Sequence, residues 1–469
     1  MNMQYNPILD TDSYKASHYA QYPEGTEYVF YYIESRGGKW DDVVMFGSQG
    51  GLKEYFTTPI TQEMIDYADK YFTAHGEPFN REGWEYILNE HGGLMPLEIR
   101  AIPEGMVVPG RNVMATIVNT DPKCFWLGSY IETKYLRAVW YGTTVATQSR
   151  EIKKIILDAL ERTGDPSGIN FKLHDFGARG VNTYEGSQIG GAAHLVNFMG
   201  SDTVMAGVYA QEMYNTDAML AYSIPAAEHS TQTILMREGE RKQQMRMVEQ
   251  FGGKYPLIAV VSDSYDIYES AKRWAVDFRD MVIESGSTIV IRPDSGDPAT
   301  VVLNVLSIID SYLLEGDVTV NAKGYRVLPD WLRVIQGDGI NIDSIKLILD
   351  TIIDAGWSAD NIAFGMGGAL LQQINRDTLR FAMKASAACI NGVWTDVYKD
   401  PVTDSGKSSK RGRLELYRTP DGKFVTGSIG WNDNAIESRG TPVLERVYYN
   451  GKMTKEWTFE EVRENAKLG

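Results

Sequence analysis

The segment at residues 222–231 reads YSIPAAEHST and carries one of only six histidines among 469 residues. His229 directly follows Glu228 and stands just past an apolar stretch. An imidazole there either packs or sits at the surface, or it serves as an acid/base or nucleophilic group on a catalytic loop. IRPDSGDP places Arg292 at the end of a strand-like run beside Asp294. A guanidinium fork matches phosphate or pyrophosphate, and a carboxylate accepts both hydroxyls of a ribose; a plain Arg–Asp ion pair is the structural alternative. VSDSYD offers Ser262, Asp263 and Asp266 similarly, with one of the acids available to cap a helix. In RVIQGDG, Gly337 and Asp338 make either a second ribose contact or a turn. In IAFGMGG, Gly367 and Gly368 either bring backbone N–H groups to a phosphate or close a tight turn. The set holds Arg, Asp, Gly and His, with no cysteine nucleophile and no His/Cys metal set. It suits a sugar-phosphate enzyme and leaves open proton abstraction, aldol chemistry and phosphoribosyl transfer.

Five segments share a plan that would gather these residues. FKLHDFGARG, PLIAVVSDSYDIYESAKRW, STIVIRPDSGDPATVVLNVLSIID, YRVLPDWLRVIQGDGINIDSIKLILDTII and DNIAFGMGGALLQQINRDTLRFA each open with a β-prone apolar run and pass into a polar loop. In the last four a segment of helical periodicity follows. Asp263, Asp297, Asp338 and Asp343 stand near the expected helix starts, as caps would. Successive β–loop–α units imply parallel strands with helices outside, as a barrel or a doubly wound sheet. In either, ligands sit at the C-terminal strand ends, where Asp175, Arg179, Ser262, Asp266, Arg292, Asp294 and Asp338 fall. The flanks differ. Residues 1–165 mix strand-like EYVFYYIES and LEIRAIP with helical stretches, and RLELYRTPDGKFVTG reads as a hairpin with a Pro-Asp-Gly turn. We expect residues 166–377 to form the barrel, and residues 1–165 with 378–469 to form one discontinuous sheet domain. KDPVTDSGKSSKRGR reads as a solvated basic loop.

Composition narrows the partners. A hydrophobic content of 43% supports a sizeable core, and the net charge of −16 argues against nucleic acid or an acidic membrane surface. A few arginines and backbone N–H groups still suffice for a small anion. Cys124 and Cys389 lie far apart, which fits a reducing compartment better than a disulfide framework. MNMQYNPILD lacks the basic and apolar regions of a signal peptide, and no apolar run approaches the ~20 residues that span a bilayer. The expectation is a cytoplasmic protein.

The quoted motifs also carry a resemblance. TDSYK, KLHDFGARG, GSDT, YSIPAAEHST, VVSDSYDIY, IVIRPDSGDP, RVIQGDG, AFGMGG, INRD and KDPV stand in an order that resembles the nicotinamide phosphoribosyltransferase family over nearly the whole chain. The resemblance implies an α/β fold: the irregular barrel of type II phosphoribosyltransferases, with a mixed α+β sheet domain built from both chain ends. It implies condensation of nicotinamide with phosphoribosyl pyrophosphate to nicotinamide mononucleotide and pyrophosphate. Mg2+ would accompany the phosphates, ATP would be a coupled substrate, and a homodimer would share its active sites.

By the same resemblance, Phe176 stacks on the pyridine ring and Tyr14 closes the other face from the partner subunit, with Asp12 beside it. Arg179 and Arg292 hold phosphate or pyrophosphate; Asp294, Gly337 and Asp338 take the ribose; Gly367, Gly368 and Arg376 lie at the nucleotide phosphate. Arg36 and Lys384 are the basic groups lent by the other subunit, and Ser262 belongs to the substrate-binding set. His229 matches the phosphorylated histidine, with Asp266 orienting it and Glu228 in support. Ala178, Met366 and Ala369 depart from the familiar runs, at the rim and tunnel lining. The nearest rival is a nicotinate phosphoribosyltransferase. Asp202 speaks against it, because a carboxylate accepts a hydrogen bond from a carboxamide and repels a carboxylate. A non-catalytic protein on this scaffold would be expected to have lost His229, Asp266 or the arginines. An unrelated sugar-phosphate lyase or isomerase would have no need of Tyr14.

Overall fold

The computed structural model describes residues 5–403, 408–429 and 440–468. The middle of the basic loop, residues 404–407, thus lies outside the described residues.

Strands from both chain ends interleave in one seven-stranded sheet. Its order is Val393–Asp396, Phe381–Ile390, Thr26–Ser35, Val113–Asn119, Leu97–Ala101, Glu445–Tyr449 and Lys452–Met453. Every pairing in it is antiparallel. The interior strand Thr26–Ser35 is buried along most of its length, which is why EYVFYYIES is nearly continuously apolar rather than alternating. The expected hairpin is present as Leu414–Arg418 paired with Phe424–Ser428.

The second sheet positions the chemistry. Its six strands run Gly200–Ser201, Leu173–Asp175, Ile362–Met366, Leu332–Gln336, Thr288–Arg292 and Leu257–Val261, all parallel. Parallel strands need crossovers, and helices such as Ile267–Ala275, Pro298–Tyr312 and Ile342–Asp354 supply them. The two edges of this sheet are joined by an irregular strap. Tyr222 bridges to Gly200 and Ala226 bridges to Ala259. The Tyr222 N–H donates to Met199 O at 2.8 Å, and the Ala259 N–H donates to Pro225 O at 2.9 Å. A short run with no regular period thereby turns a curled sheet into a barrel.

A 32-residue helix, Glu132–Thr163, lies against both sheets' surroundings and is about 48 Å long at ~1.5 Å per residue. Of the expected caps, Asp297 alone caps its helix, accepting from the Thr300 N–H. Asn341, not Asp338 or Asp343, caps Ile342–Asp354, because its side chain reaches the Asp343 and Ser344 N–H groups. Asp263 is no cap either; Asp266 is. Among the described residues no helix is long and apolar enough to cross a membrane.

Candidate active site

The C-terminal ends of four parallel strands meet at one mouth. Thr288–Arg292 ends in a guanidinium that is 17% exposed and whose Nε has no hydrogen-bond partner. Its nearest carboxylate is Asp294, with Oδ1 at 3.9 Å, too long for a hydrogen bond. Burial raises the Asp294 carboxyl; Arg292 opposes this, and Asp263 and Asp338 nearby add to it. A half-buried acid flanked by acids, beside a cation with a spare donor, is poised for an anionic, hydroxyl-bearing ligand.

His229 opens the short helix His229–Thr233 at the end of the strap segment. Its Nε2 lies 3.0 Å from Asp263 Oδ1, and its Nδ1 lies 3.8 Å from Asp294 Oδ2. An ionised carboxylate only accepts, so in the neutral imidazole Nε2 carries the hydrogen and Nδ1 keeps the lone pair. This corrects the expectation for Asp266. That carboxylate receives the Tyr268 and Glu269 N–H groups at 3.0 and 3.1 Å and holds the start of the following helix. Residue 266 directly precedes the first helical residue, where a cap must stand; Asp263, three residues earlier, is free to face the mouth. Glu228 is corrected too, since its carboxylate takes the Ser230 hydroxyl rather than the imidazole. Ser262 is a third correction. It is fully buried, its Oγ donates to Val260 O at 2.9 Å and accepts from Trp274 Nε1 at 3.2 Å, so it faces the outer helix instead of a ligand.

Phe176 follows the strand Leu173–Asp175, its N–H donating to Met366 O at 3.0 Å. The ring packs directly against Gly365, where a Cβ would come within 2.0 Å of Phe176 Cε2. Three other glycines have no such reason to be glycine. A Cβ on Gly337 would meet nothing nearer than Asp294 Oδ1 at 3.5 Å; on Gly367 and Gly368 the nearest atoms are backbone oxygens at 3.8 and 3.9 Å. None has positive φ. Their missing side chains leave room at the mouth, as a sugar phosphate held close to the backbone requires.

Behind Phe176 a cavity of about 460 Å³ runs down the barrel, lined by Phe176, His174, Asp202, Tyr222, Ser223 and Arg292 and reaching Lys172 and Arg333. Burial holds the His174 imidazole below its usual pKa. Asp202 is fixed from both sides: its N–H donates to Asp175 O at 2.9 Å, and its Oδ1 accepts from Ser223 Oγ at 2.5 Å. Ser223, His174 and the role of Asp263 do not emerge from the sequence. Only the position of Ser223 in the His229 motif could have marked it.

The remaining expected residues fall elsewhere. Arg179 is exposed on the turn Ala178–Gly180, where Gly180 packs on the Gly368 backbone. Arg36 pairs with Glu34 at 3.4 Å and has a buried Nη2 without a partner. Burial lowers the Lys384 pKa, and Arg36, Lys399 and Arg376 are close enough to lower it further, so these cations form one patch. Arg376 itself is exposed and touches Asp377 at 3.3 Å. Asp12 accepts from Thr133 Oγ1 at 2.6 Å, and the Tyr14 ring, 56% exposed, meets His18 edge-on. Within one chain, then, Tyr14 does not stack on Phe176. Hard oxygen donors that could share a divalent cation with a polyphosphate are Asp294 and Asp338 beside Arg292. A separate group, His91, Asp121 and Cys124, lies apart from this mouth, with its carboxylate already accepting from Tyr86, Lys123 and His91.

Residues 171–447 match the model of the nicotinate phosphoribosyltransferase (NAPRTase) family, and residues 6–99 match the nicotinamide phosphoribosyltransferase N-terminal domain. The chain is 51% identical to a nicotinamide phosphoribosyltransferase of Xanthomonas campestris pv. campestris (strain 8004), over 98% of each protein. It is 30% identical to one of Acinetobacter baylyi (strain ATCC 33305 / BD413 / ADP1), covering 99% of this chain and 97% of that one. A nicotinate-nucleotide pyrophosphorylase from Pyrococcus furiosus shares the fold, with a TM-score of 0.60 at 15% identity, covering 99% and 96% of the two chains.

Proposed function

The chain belongs to the nicotinamide phosphoribosyltransferase family, and from that we propose that it joins nicotinamide to phosphoribosyl pyrophosphate, giving nicotinamide mononucleotide and pyrophosphate for NAD biosynthesis. The observation that carries the choice of acceptor is Asp202, a carboxylate facing the cavity beside the Phe176 ring. With Oδ1 taken by Ser223, Oδ2 remains to accept from a carboxamide N–H, and the same charge repels nicotinate.

The chemistry asks little of a base. The pyridine nitrogen of nicotinamide carries a lone pair and no proton, so it attacks the ribose C1 directly. The bond from C1 to the pyrophosphate oxygen breaks, and pyrophosphate departs with the electron pair. Phe176 orients the ring, Asp294 and Asp338 accept the ribose hydroxyls, and Arg292 and Arg179 stabilise the leaving charge. Mg2+ bound with the polyphosphate supplies further neutralisation of that charge.

Because no proton transfer occupies it, His229 is free for a second role. Its Nδ1 lone pair suits attack on the γ-phosphorus of ATP: the N–P bond forms as the bond to ADP breaks, and water later cleaves the phosphohistidine. The exposed Tyr14, which does not reach Phe176 within its own chain, and the Arg36–Lys384 patch support sites completed by a second copy. Pyrophosphate release from phosphoribosyl pyrophosphate, with nicotinamide or nicotinate as acceptor, tests the reading. Nicotinamide should give the higher kcat/KM; a preference for nicotinate overturns it.

A further inference from the structure

We propose that Asp263 is the positioning residue that transmits the state of His229 to the loop that holds the ribose. The inference rests on the reading in which ATP phosphorylates His229, and it concerns a carboxylate that takes no part in either bond-making step.

Asp263 is 4% exposed and divides its two oxygens between two elements. Oδ1 accepts from His229 Nε2 at 3.0 Å. Oδ2 accepts from the Asp294 N–H at 3.1 Å and from Ser295 Oγ at 2.5 Å. The root of this arrangement is rigid, since Ser262 N donates to Arg292 O at 3.0 Å and the Ser262 hydroxyl is locked against Trp274. One buried carboxylate therefore joins the imidazole to the backbone that presents Asp294. Among the described residues no other carboxylate near the ring makes this link, because Asp266 is spent on its helix, Glu228 on Ser230, and Asp294 is the group being moved.

A phosphoryl group on Nδ1 brings a charge of about −1.5 to −2 to within reach of Asp294 Oδ2, now 3.8 Å from that nitrogen. The Nε2–H bond to Asp263 survives, because the phosphoryl group is on the other nitrogen. Repulsion then has a defined outcome: ring and loop stay tied through Asp263, and the Asp294 carboxylate reorients toward Arg292 or a bound cation. Phosphorylation would thus tighten the grip on phosphoribosyl pyrophosphate.

Asparagine at 263 retains the shape but has a single acceptor oxygen; with that oxygen on the loop, its NH2 faces Nε2 and the ring loses the acceptor that kept the hydrogen there. The measurement is KM for phosphoribosyl pyrophosphate with and without ATP, beside phosphate release from ATP alone. In Asp263→Asn the ATP-induced drop in KM should shrink by about tenfold, the scale of an ordinary coupling free energy, and phosphate release should slow as well, so Ser295→Ala, which leaves the ring's acceptor in place, is the variant that isolates the coupling. In Asp266→Asn, whose amide oxygen still caps the helix, the drop should remain. Ser295→Ala, which deletes one loop-side donor, should weaken the drop about threefold, the worth of one hydrogen bond. If Asp263→Asn fails to fold, Ser295→Ala decides. An undiminished ATP effect in a folded Asp263→Asn protein or in Ser295→Ala overturns the inference, as does its loss in Asp266→Asn alone. A parent enzyme whose KM does not respond to ATP removes the phosphohistidine reading itself, and this inference with it.

Discussion

Replacing Asp202 by asparagine separates charge from shape at the acceptor pocket. The residue is anchored by its main-chain N–H to Asp175 O and by its side-chain oxygen, which accepts from Ser223 Oγ; both contacts are open to asparagine, so the pocket should hold its geometry. What changes is the repulsion of nicotinate. Two unit charges 4 Å apart interact by about 4 kcal/mol at an effective dielectric near 20 and by about 1 kcal/mol in bulk water. Residue 202 is exposed in the free chain but faces a cavity that a bound ring would fill, so its environment lies between those limits. A charge term of about 1.4–3 kcal/mol follows, or tenfold to a hundredfold in relative kcat/KM. The assay is kcat/KM for nicotinamide and for nicotinate in parent and Asp202→Asn proteins, scored as the ratio of ratios. Nicotinate should gain, and nicotinamide should lose no more than one hydrogen bond's worth, because an amide oxygen still accepts. An unchanged ratio would show that residue 202 does not sense the acceptor's charge.

Gly365→Ala should drive the Phe176 ring off its platform, since the new Cβ would overlap it; KM for nicotinamide should rise about tenfold or more, the effect of 1–3 kcal/mol of overpacking. An unaltered KM would mean that the ring does not seat the acceptor. Mixing Tyr14→Ala with Phe176→Ala protein, each nearly inactive alone, should restore activity if two copies share their sites, because one interface of a mixed dimer has both aromatic faces. Subunit exchange without recovery would exclude the sharing. Burial pushes the Glu104 carboxyl up from 4.5 to about 7, so the folded chain keeps a proton there that the unfolded chain loses above 4.5. The stabilisation is complete below pH 4.5 and is lost as pH rises through 7, a change of about 3 kcal/mol, and Glu104→Gln should flatten that part of the Tm–pH curve.

Sequence pattern revealed the five strands that are followed by polar loops, because each is an apolar run ending in Gly, Asp, Ser or Arg. It could not separate Asp263 from Asp266. Both precede the same helix, and only the exact start at Ile267 makes one the cap and leaves the other free. Ser262 escaped for a related reason: on a parallel strand a shift of one residue reverses the face, and residue 262 looks outward to Trp274. The antiparallel sheet was legible as a union of both chain ends, but its register pairs Ser35 with Phe381, a separation that no local pattern encodes. The strap at 222–226 left no trace, since two single bridges impose no period on side chains.

That strap has a practical consequence for redesign. Its bridges to the two sheet edges are made by main-chain groups, at Pro225 through a carbonyl that any residue could offer, while Ser223 adds a side-chain bond to Asp202. Main-chain pairing does not read side-chain identity, so what an exchange of residues 222–226 would change is the side-chain contacts of Tyr222, Ser223 and Ile224. The strap carries Ser223, the partner of Asp202, and it delivers His229 three residues after it ends. Grafting the corresponding five residues from an enzyme with a different acceptor would therefore retune recognition while leaving the phosphate-handling half of the site on its original rails.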